Sequence, residues 1–203
     1  MKLTQITITS AIILCAATHA NATTLFFDDF NANPLATDTA PAGWTLTFGT
    51  VDIVGQPQYP WLGSGAAINM TGSAGVAGTL QSVQTFNLVK GYSYRVSFDY
   101  GNSLRTPDEE PVVVDFSGNF VDAVFASGLN NSLLTYSAIF IASFDDVTSL
   151  SFTGFDTFNP SNGGFILDNV RVSSVPLPGA LPLLTVGLGA LAYAGRRRKQ
   201  KRA

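Results

Sequence analysis

Apolar and polar residues alternate with a period of two through most of the middle of the chain. The longest run is Tyr92 to Tyr100. Tyr92, Tyr94, Val96, Phe98 and Tyr100 fall on one side of it, and Ser93, Arg95, Ser97 and Asp99 on the other. Leu134, Tyr136, Ala138 and Phe140 alternate with Thr135 and Ser137, and Ser149 to Phe152 gives a shorter version. Trp44, Leu46 and Phe48 follow Pro41-Ala42-Gly43 in the same rhythm, which places Trp44 in a core. Pro111 to Phe116 and Phe165 to Val172 are further β-rich runs. Such alternation marks strands with one face buried. Clusters of Gly, Asn, Asp and Pro at 72–78, 102–111, 128–131 and 159–164 separate them. No sustained helical period and no internal repeat occurs. Many short strands punctuated by turns predict an all-β sandwich or barrel.

The two ends break this pattern. Lys2, the mostly apolar run from Ile6 to Ala17, and Ala20-Asn21-Ala22 form the three regions of a secretory signal, cleaved after Ala20 or Ala22. At the other end, Val175-Pro176-Leu177-Pro178 leads into an uncharged stretch from Gly179 to Gly195. Arg196, Arg197, Arg198, Lys199, Lys201 and Arg202 follow. That stretch has 17 residues, the short limit for one transmembrane helix. The cations behind it hold the tail on the cytoplasmic side. The organisation expected is a signal peptide over 1–22, a β-sandwich domain over 23–174 and a sorting tail over 175–203.

The tail resembles the PEP-CTERM class of bacterial sorting signals, in its Val-Pro-Leu-Pro variant. Motif, apolar span and Arg cluster come in that order over about the last 30 residues. Gly179 stands where the variant usually has Ala. The resemblance implies a Gram-negative host, Sec-type export and an inner-membrane intermediate. It also implies processing near the motif by an exosortase-type transpeptidase, delivery to the cell surface or medium, and an association with exopolysaccharide and biofilm. A Pro-rich motif suits a protease because proline keeps the chain extended.

Composition sharpens the picture once the ends are set aside. All 14 acids lie in the domain, against Lys90, Arg95, Arg105 and Arg171, a net charge of −10. This argues against a nucleic-acid partner, which needs clustered cations, and equally against an anionic polysaccharide unless divalent cations bridge the two. The chain's single Cys, Cys15, and single His, His19, both sit in the signal. The domain therefore has no Ser-His-Asp triad, no Cys nucleophile and no usual zinc or copper site. No P-loop pattern occurs.

A second resemblance covers nearly the whole domain. It rests on Asp28-Asp29-Phe30, Pro41-Ala42-Gly43-Trp44, Gly78-Thr79-Leu80-Gln81, the strand Gly91-Tyr92-Ser93-Tyr94-Arg95-Val96-Ser97-Phe98, and the closing Phe165-Ile166-Leu167-Asp168-Asn169-Val170. In this order they look like the galactose-binding-like jelly roll of carbohydrate-binding modules. The resemblance implies adjacent first and last strands, often with a structural Ca²⁺ between them. Asp168 shares strand parity with Ile166, Val170 and Val172 and is expected to face inward, where a carboxylate needs compensation. Asp28, Asp29 and Asp168 are the expected calcium ligands, with backbone amides or an Arg as the alternative compensation. Tyr59 and Trp61, large rings in the turn-rich stretch 56–63, are the expected sugar-stacking residues; the competing reading is that they cover one end of the core. Asp108, Glu109 and Glu110 could serve a carboxylate-only glycoside hydrolase, and are otherwise a solvated loop. The function expected is a non-catalytic surface or matrix protein associated with extracellular polysaccharide. A purely structural or self-associating surface protein is the alternative.

Overall fold

A computed structural model describes residues 22–103, 110–126, 132–155 and 164–175. The signal, the sorting motif after Val175, Arg196 to Arg198, and Asp108 and Glu109 lie outside the described residues. Among those described, no helix is long and apolar enough to cross a membrane.

Eleven strands alternate with turns: β1 Thr23–Asp28, β2 Trp44–Phe48, β3 Asp52–Gly55, β4 Ala66–Asn69, β5 Thr79–Leu88, β6 Ser93–Asn102, β7 Glu110–Asp115, β8 Val121–Ala126, β9 Leu134–Ile141, β10 Asp146–Gly154 and β11 Phe165–Val175. A front sheet runs β3-β4-β11-β6-β9, with β1 also paired to β11. A back sheet runs β2-β5-β10-β7-β8. Every pairing between these strands is antiparallel. The architecture is a two-sheet β-sandwich.

The core forms where the inward rows of the two sheets meet. Val96, Phe98, Leu167, Val170 and Val172 from the front pack with Leu80, Phe86, Val112, Val114, Leu150 and Phe152 from the back. Each such side chain contributes roughly 1.5–3 kcal/mol on burial. The Phe98 and Phe152 rings meet at 90° with centroids 5.2 Å apart, an edge-to-face contact across the layer. Trp44 is buried beside them, 5.9 Å from Phe152. The alternation in β6 is as the sequence predicts for Tyr94, Val96 and Phe98. Tyr92 instead precedes the strand and is 58% exposed.

Strand β11 organises the front sheet. β6 pairs along one side of it. On the other side β4 takes Ile166 and Leu167, while β1 takes Val170 to Ser174. Between those two partners the register with β6 slips, from Asp168 to Arg171, and Asn169 adopts φ 49°. This bulge reverses the parity of the strand. Phe165 and Leu167 reach the core before it, and Val170 and Val172 after it. Asp168 therefore shares the outer face with Ile166. The inward orientation expected from simple alternation is corrected.

The sandwich is fastened along one side. Tyr136 on β9, the last strand of the front sheet, donates its hydroxyl proton to Oδ2 of Asp122 on β8, the last strand of the back sheet. Burial, and then the bond to this carboxylate and its charge, push the Tyr136 hydroxyl pKa well above its ordinary value.

Candidate functional site on the front sheet

The chain leaving β3 does not project a binding loop. Residues 56–63 form a 3-10 turn at Pro60–Leu62 and fold back over the outer side of the front sheet. Val54, Ala67 and Ile166 point outward there and need cover. Tyr59 packs among them and is only 2% exposed, with Trp61, Leu62 and Leu133 around it. The expectation of Tyr59 as a sugar-stacking ring is corrected: it is a covering residue. Trp61 meets Tyr59 edge-on at 6.0 Å and is half-buried, so part of its ring stays open. It lies over Gly101, where an added Cβ would stand 3.4 Å from its Cη2. The polar members of the stretch, Gln56 and Gln58, face solvent. With Leu35, Thr37, Asp52 and Ser73 they line a cleft of about 400 Å³ at the β3 edge. Asp52 is already committed there. It accepts from the Asp38 amide at 2.9 Å, the Ser73 amide at 3.0 Å and the Ser73 hydroxyl at 2.7 Å.

The expected carboxylates divide. Asp28 turns inward from β1. Its Oδ1 accepts from the Phe30 amide and its Oδ2 from the Trp44 indole. Asp29 accepts from the Asn31 amide at 3.2 Å and shares the outward parity of Phe27. Asp168 lies opposite Asp99 of β6, a residue on the polar side of the alternating run. Asn169 ties the two together. Its amide donates to Asp168 Oδ1 at 2.7 Å, and its side-chain nitrogen donates to Asp99 Oδ2 at 2.9 Å and Asp168 Oδ2 at 3.4 Å. Thr135 of β9 donates to the other oxygen of Asp99. Burial raises the Asp168 pKa to about 7 against the opposing pull of the Asn169 amide, and the charges of Asp99, Asp29 and Asp28 add to the rise.

For Ca²⁺ the donors suit in kind, since all are oxygens. Asp28 does not belong to the set, because its carboxylate turns inward onto the Trp44 indole. Among the described residues no three acidic side chains converge on one point. An ion at Asp29, Asp99 and Asp168 would have to draw them together.

Beyond this carboxylate row the outer face continues. Arg171 lies beside Ser97, and Ser97 beside Ser137; on the β1 side Phe27 is opposite Arg171. The guanidinium of Arg171 sits 4.7 Å from the Phe27 ring centroid, a cation–π contact. Arg95 is exposed one row further along. The face thus carries, in order, the open part of Trp61, a carboxylate–amide–hydroxyl row, and an Arg–aromatic pair. Sequence reasoning passed over Asp99, Asn169, Arg171 and Phe27. Asp99 was legible as the polar-side residue of the clearest strand. The other three depend on a bulge and on a strand pairing that no local pattern reveals.

No protein-family model matches the sequence, and no curated protein sequence matches it. Solved structures are similar in fold. An arabinose-bound MgGH51 α-L-arabinofuranosidase superposes on 74% of this chain at 12% identity with a TM-score of 0.53, and the chain spans about a quarter (26%) of that protein. The CBM22-1 xylan-binding domain of Xyn10C from Paenibacillus barcinonensis covers 79% of this chain and is itself covered completely, at 15% identity and a TM-score of 0.48. TmCBM61, solved with β-1,4-galactotriose, covers 64% of this chain, with 88% of its own length matched, at 15% identity and a TM-score of 0.44.

Proposed function

We propose that the domain is a non-catalytic carbohydrate-binding module of jelly-roll type, exported and presented at the cell surface. One observation carries the reading. On the outer front face, hydrogen-bonding groups of complementary kind stand between two partly open rings. Carboxylates Asp99 and Asp168, oriented by Asn169, accept from sugar hydroxyls, Arg171 donates, and Trp61 and Phe27 offer flat apolar surface to sugar C–H faces. From Gly101 under Trp61 to Ser97 beside Arg171 is four residues of strand, about 13 Å, the span of a short oligosaccharide. A neutral, hydroxyl-rich chain suits this face better than a polyanion, given the net charge of −10 between residues 23 and 174. The same residues contain no His and no Cys, which removes a Ser-His-Asp triad and a thiol nucleophile and leaves carboxylates as the groups a hydrolase would have to use.

The ends of the chain support the delivery route. The signal over 1–22 sends the domain through a Sec-type channel, the span after Pro178 holds it in the inner membrane, and an exosortase-type transpeptidase acts near Val175 to Pro178. Extracellular polysaccharide of a biofilm is then the natural partner. Ca²⁺ held by Asp29, Asp99 and Asp168 would supply positive charge that offsets their mutual repulsion.

Titration calorimetry with neutral oligosaccharides built on arabinose, xylose, galactose and glucose tests the binding face. Asp99→Ala and Trp61→Ala are each expected to weaken binding about tenfold, the size of one lost charge-assisted hydrogen bond or stacking contact. A blank panel, with parent and variants indistinguishable, would leave a structural or self-associating surface protein. Release of sugar from any of them would make the domain a hydrolase. A mass spectrum of the mature protein from its native host tests the processing at both ends.

A further inference from the structure

The antiparallel pairing of β1 with β11 brings both ends of the domain to one pole. Thr23 lies opposite Ser174, and Val175 lies opposite Ser93 at the start of β6. Ser93 in turn faces Ile141 at the end of β9. The turns that close this pole are joined to each other. The Gly91 amide donates to the Ala142 carbonyl, the Ala142 amide to the Tyr92 carbonyl, and the Lys90 amide to Asp145 Oδ1. These turns expose several large apolar side chains. Tyr92, Ile141, Phe144 and Val147 are 58%, 62%, 45% and 68% exposed, and Val89 stands beside them. The charged groups here are Lys90, Asp145 and Asp146, which nearly cancel.

The chain leaves this pole at Val175, and only residues 176–178 separate it from the uncharged stretch that begins at Gly179. The four steps from Val175 to Gly179 reach at most about 14 Å. On the reading that this stretch occupies a bilayer, the pole cannot rise further than that from the membrane surface. The uncleaved signal ends in the same place, since Ala22 directly precedes Thr23. Exposed apolar residues at the far end, such as Leu134, are about 23 Å away along β9 and beyond the tether's reach.

We infer that this pole is a membrane-contacting surface. Tyr92, Ile141, Phe144 and Val147 rest in the interfacial layer of the bilayer while the tail is still attached. Tyr92 suits the headgroup level, where amphipathic rings concentrate. The near-neutral charge makes the contact apolar rather than electrostatic, so salt and anionic lipid content are expected to change it little. The contact would hold Val175 to Pro178 at the surface, where a membrane-embedded processing enzyme works, and is lost once the tail is removed.

This inference rests on the membrane-anchored reading proposed above, and the experiment separates the two. The full chain, with Cys15 replaced by Ser, is reconstituted into vesicles of phosphatidylethanolamine and phosphatidylglycerol. It carries one fluorophore at Phe144→Cys, at Ile141→Cys or, as the distant reference, at Phe125→Cys. Alkaline carbonate washing comes first: a chain that washes off overturns the anchored reading itself. For a chain that stays, quenching by aqueous iodide is expected to be severalfold slower at 144 and 141 than at 125. Quenching by lipids brominated near the headgroup is expected at 144 and 141 alone. Equal iodide quenching at all three positions overturns the inference. Protection that vanishes when vesicles hold a single chain also overturns it, and assigns the surface to a second copy. Ile141→Cys and Phe144→Cys replace exposed side chains in separate elements, so a folding defect in one leaves the other to decide.

Discussion

The indole N–H of Trp44 donates to Oδ2 of Asp28 at 2.8 Å, and the amide of Phe30 donates to Oδ1 of the same carboxylate at the same distance. A residue of β1 thus ties the first strand to the centre of the aromatic core. Phe26 and Phe30 flank the indole at 5.7 and 5.9 Å.

Removing that acceptor strands two donors, the buried Phe30 amide and Trp44 indole N–H. Asp28→Ala is expected to cost about 2–4 kcal/mol, one desolvation penalty per orphaned N–H. Trp44→Phe leaves the Phe30 bond intact and removes the donor along with part of the ring. Its cost should be smaller, about 1–2 kcal/mol. Urea denaturation with an unchanged m value reads both. A larger loss for Trp44→Phe would mean that packing, not the hydrogen bond, anchors β1.

The Asp168 carboxyl holds its proton to a pH of about 7 in the folded chain, against an ordinary value of 3.8. Between those values the folded state binds more protons than the unfolded one. Its contribution to stability is therefore complete below 3.8 and is lost as pH rises to about 7. Asp168→Asn keeps an acceptor for the Asn169 amide and cannot ionise. In chelator, the variant should lose this slope and be more stable than the parent at pH 8. Parallel stability–pH curves for the two proteins would assign the slope to other groups. Added salt should narrow the gap only in part, because screening acts on the neighbouring charges and not on burial.

Calcium bound at this cluster, as proposed, would act with opposite sign. At pH 8, Ca²⁺ is expected to raise the melting temperature of the parent and to leave Asp168→Asn nearly unmoved. A parent melting temperature that is the same in Ca²⁺ and in chelator removes the ion from the account.

The bulge at Asn169 separates backbone from side chain. Asn169→Gly accepts the positive φ and loses the bond to Asp99, a loss of about 1 kcal/mol. Asn169→Val loses the same bond and adds about 1–2 kcal/mol of left-handed strain for a β-branched residue. Thermal melts should rank parent, Gly, then Val. A Val variant as stable as the Gly variant would show that the bulge can relax out of the strand. Sugar binding on the front face should weaken in both, since Asn169 orients the two carboxylates.

Much of the fold could be read from alternation, because each inward row needs apolar side chains whatever it packs against. Tyr94, Val96, Phe98, Leu150, Phe152 and Trp44 are buried as their spacing requires. What alternation misses is any place where the strand itself changes register. Phe165 and Leu167 imply one parity and Val170 and Val172 the other. The discrepancy was present in the sequence, with Asn169, a residue tolerant of positive φ, at the break. Tyr59 failed as an exposed candidate for a different reason, while Trp61 beside it keeps part of its ring open. Their loop meets outward apolar residues from three strands, Val54, Ala67 and Ile166, and only the sheet order brings those together. Phe48, on the edge strand β2, shows the effect of register again: the register with β5 shifts between Leu46 and Phe48, and Phe48 is 66% exposed.

The bond from Tyr136 to Asp122 bridges the terminal strands of both sheets. Unpaired strand borders invite stray chains to add on. Because the phenol gives up its proton so reluctantly, this latch should survive alkaline surroundings that would ionise an ordinary tyrosine, keeping that flank shut in open water.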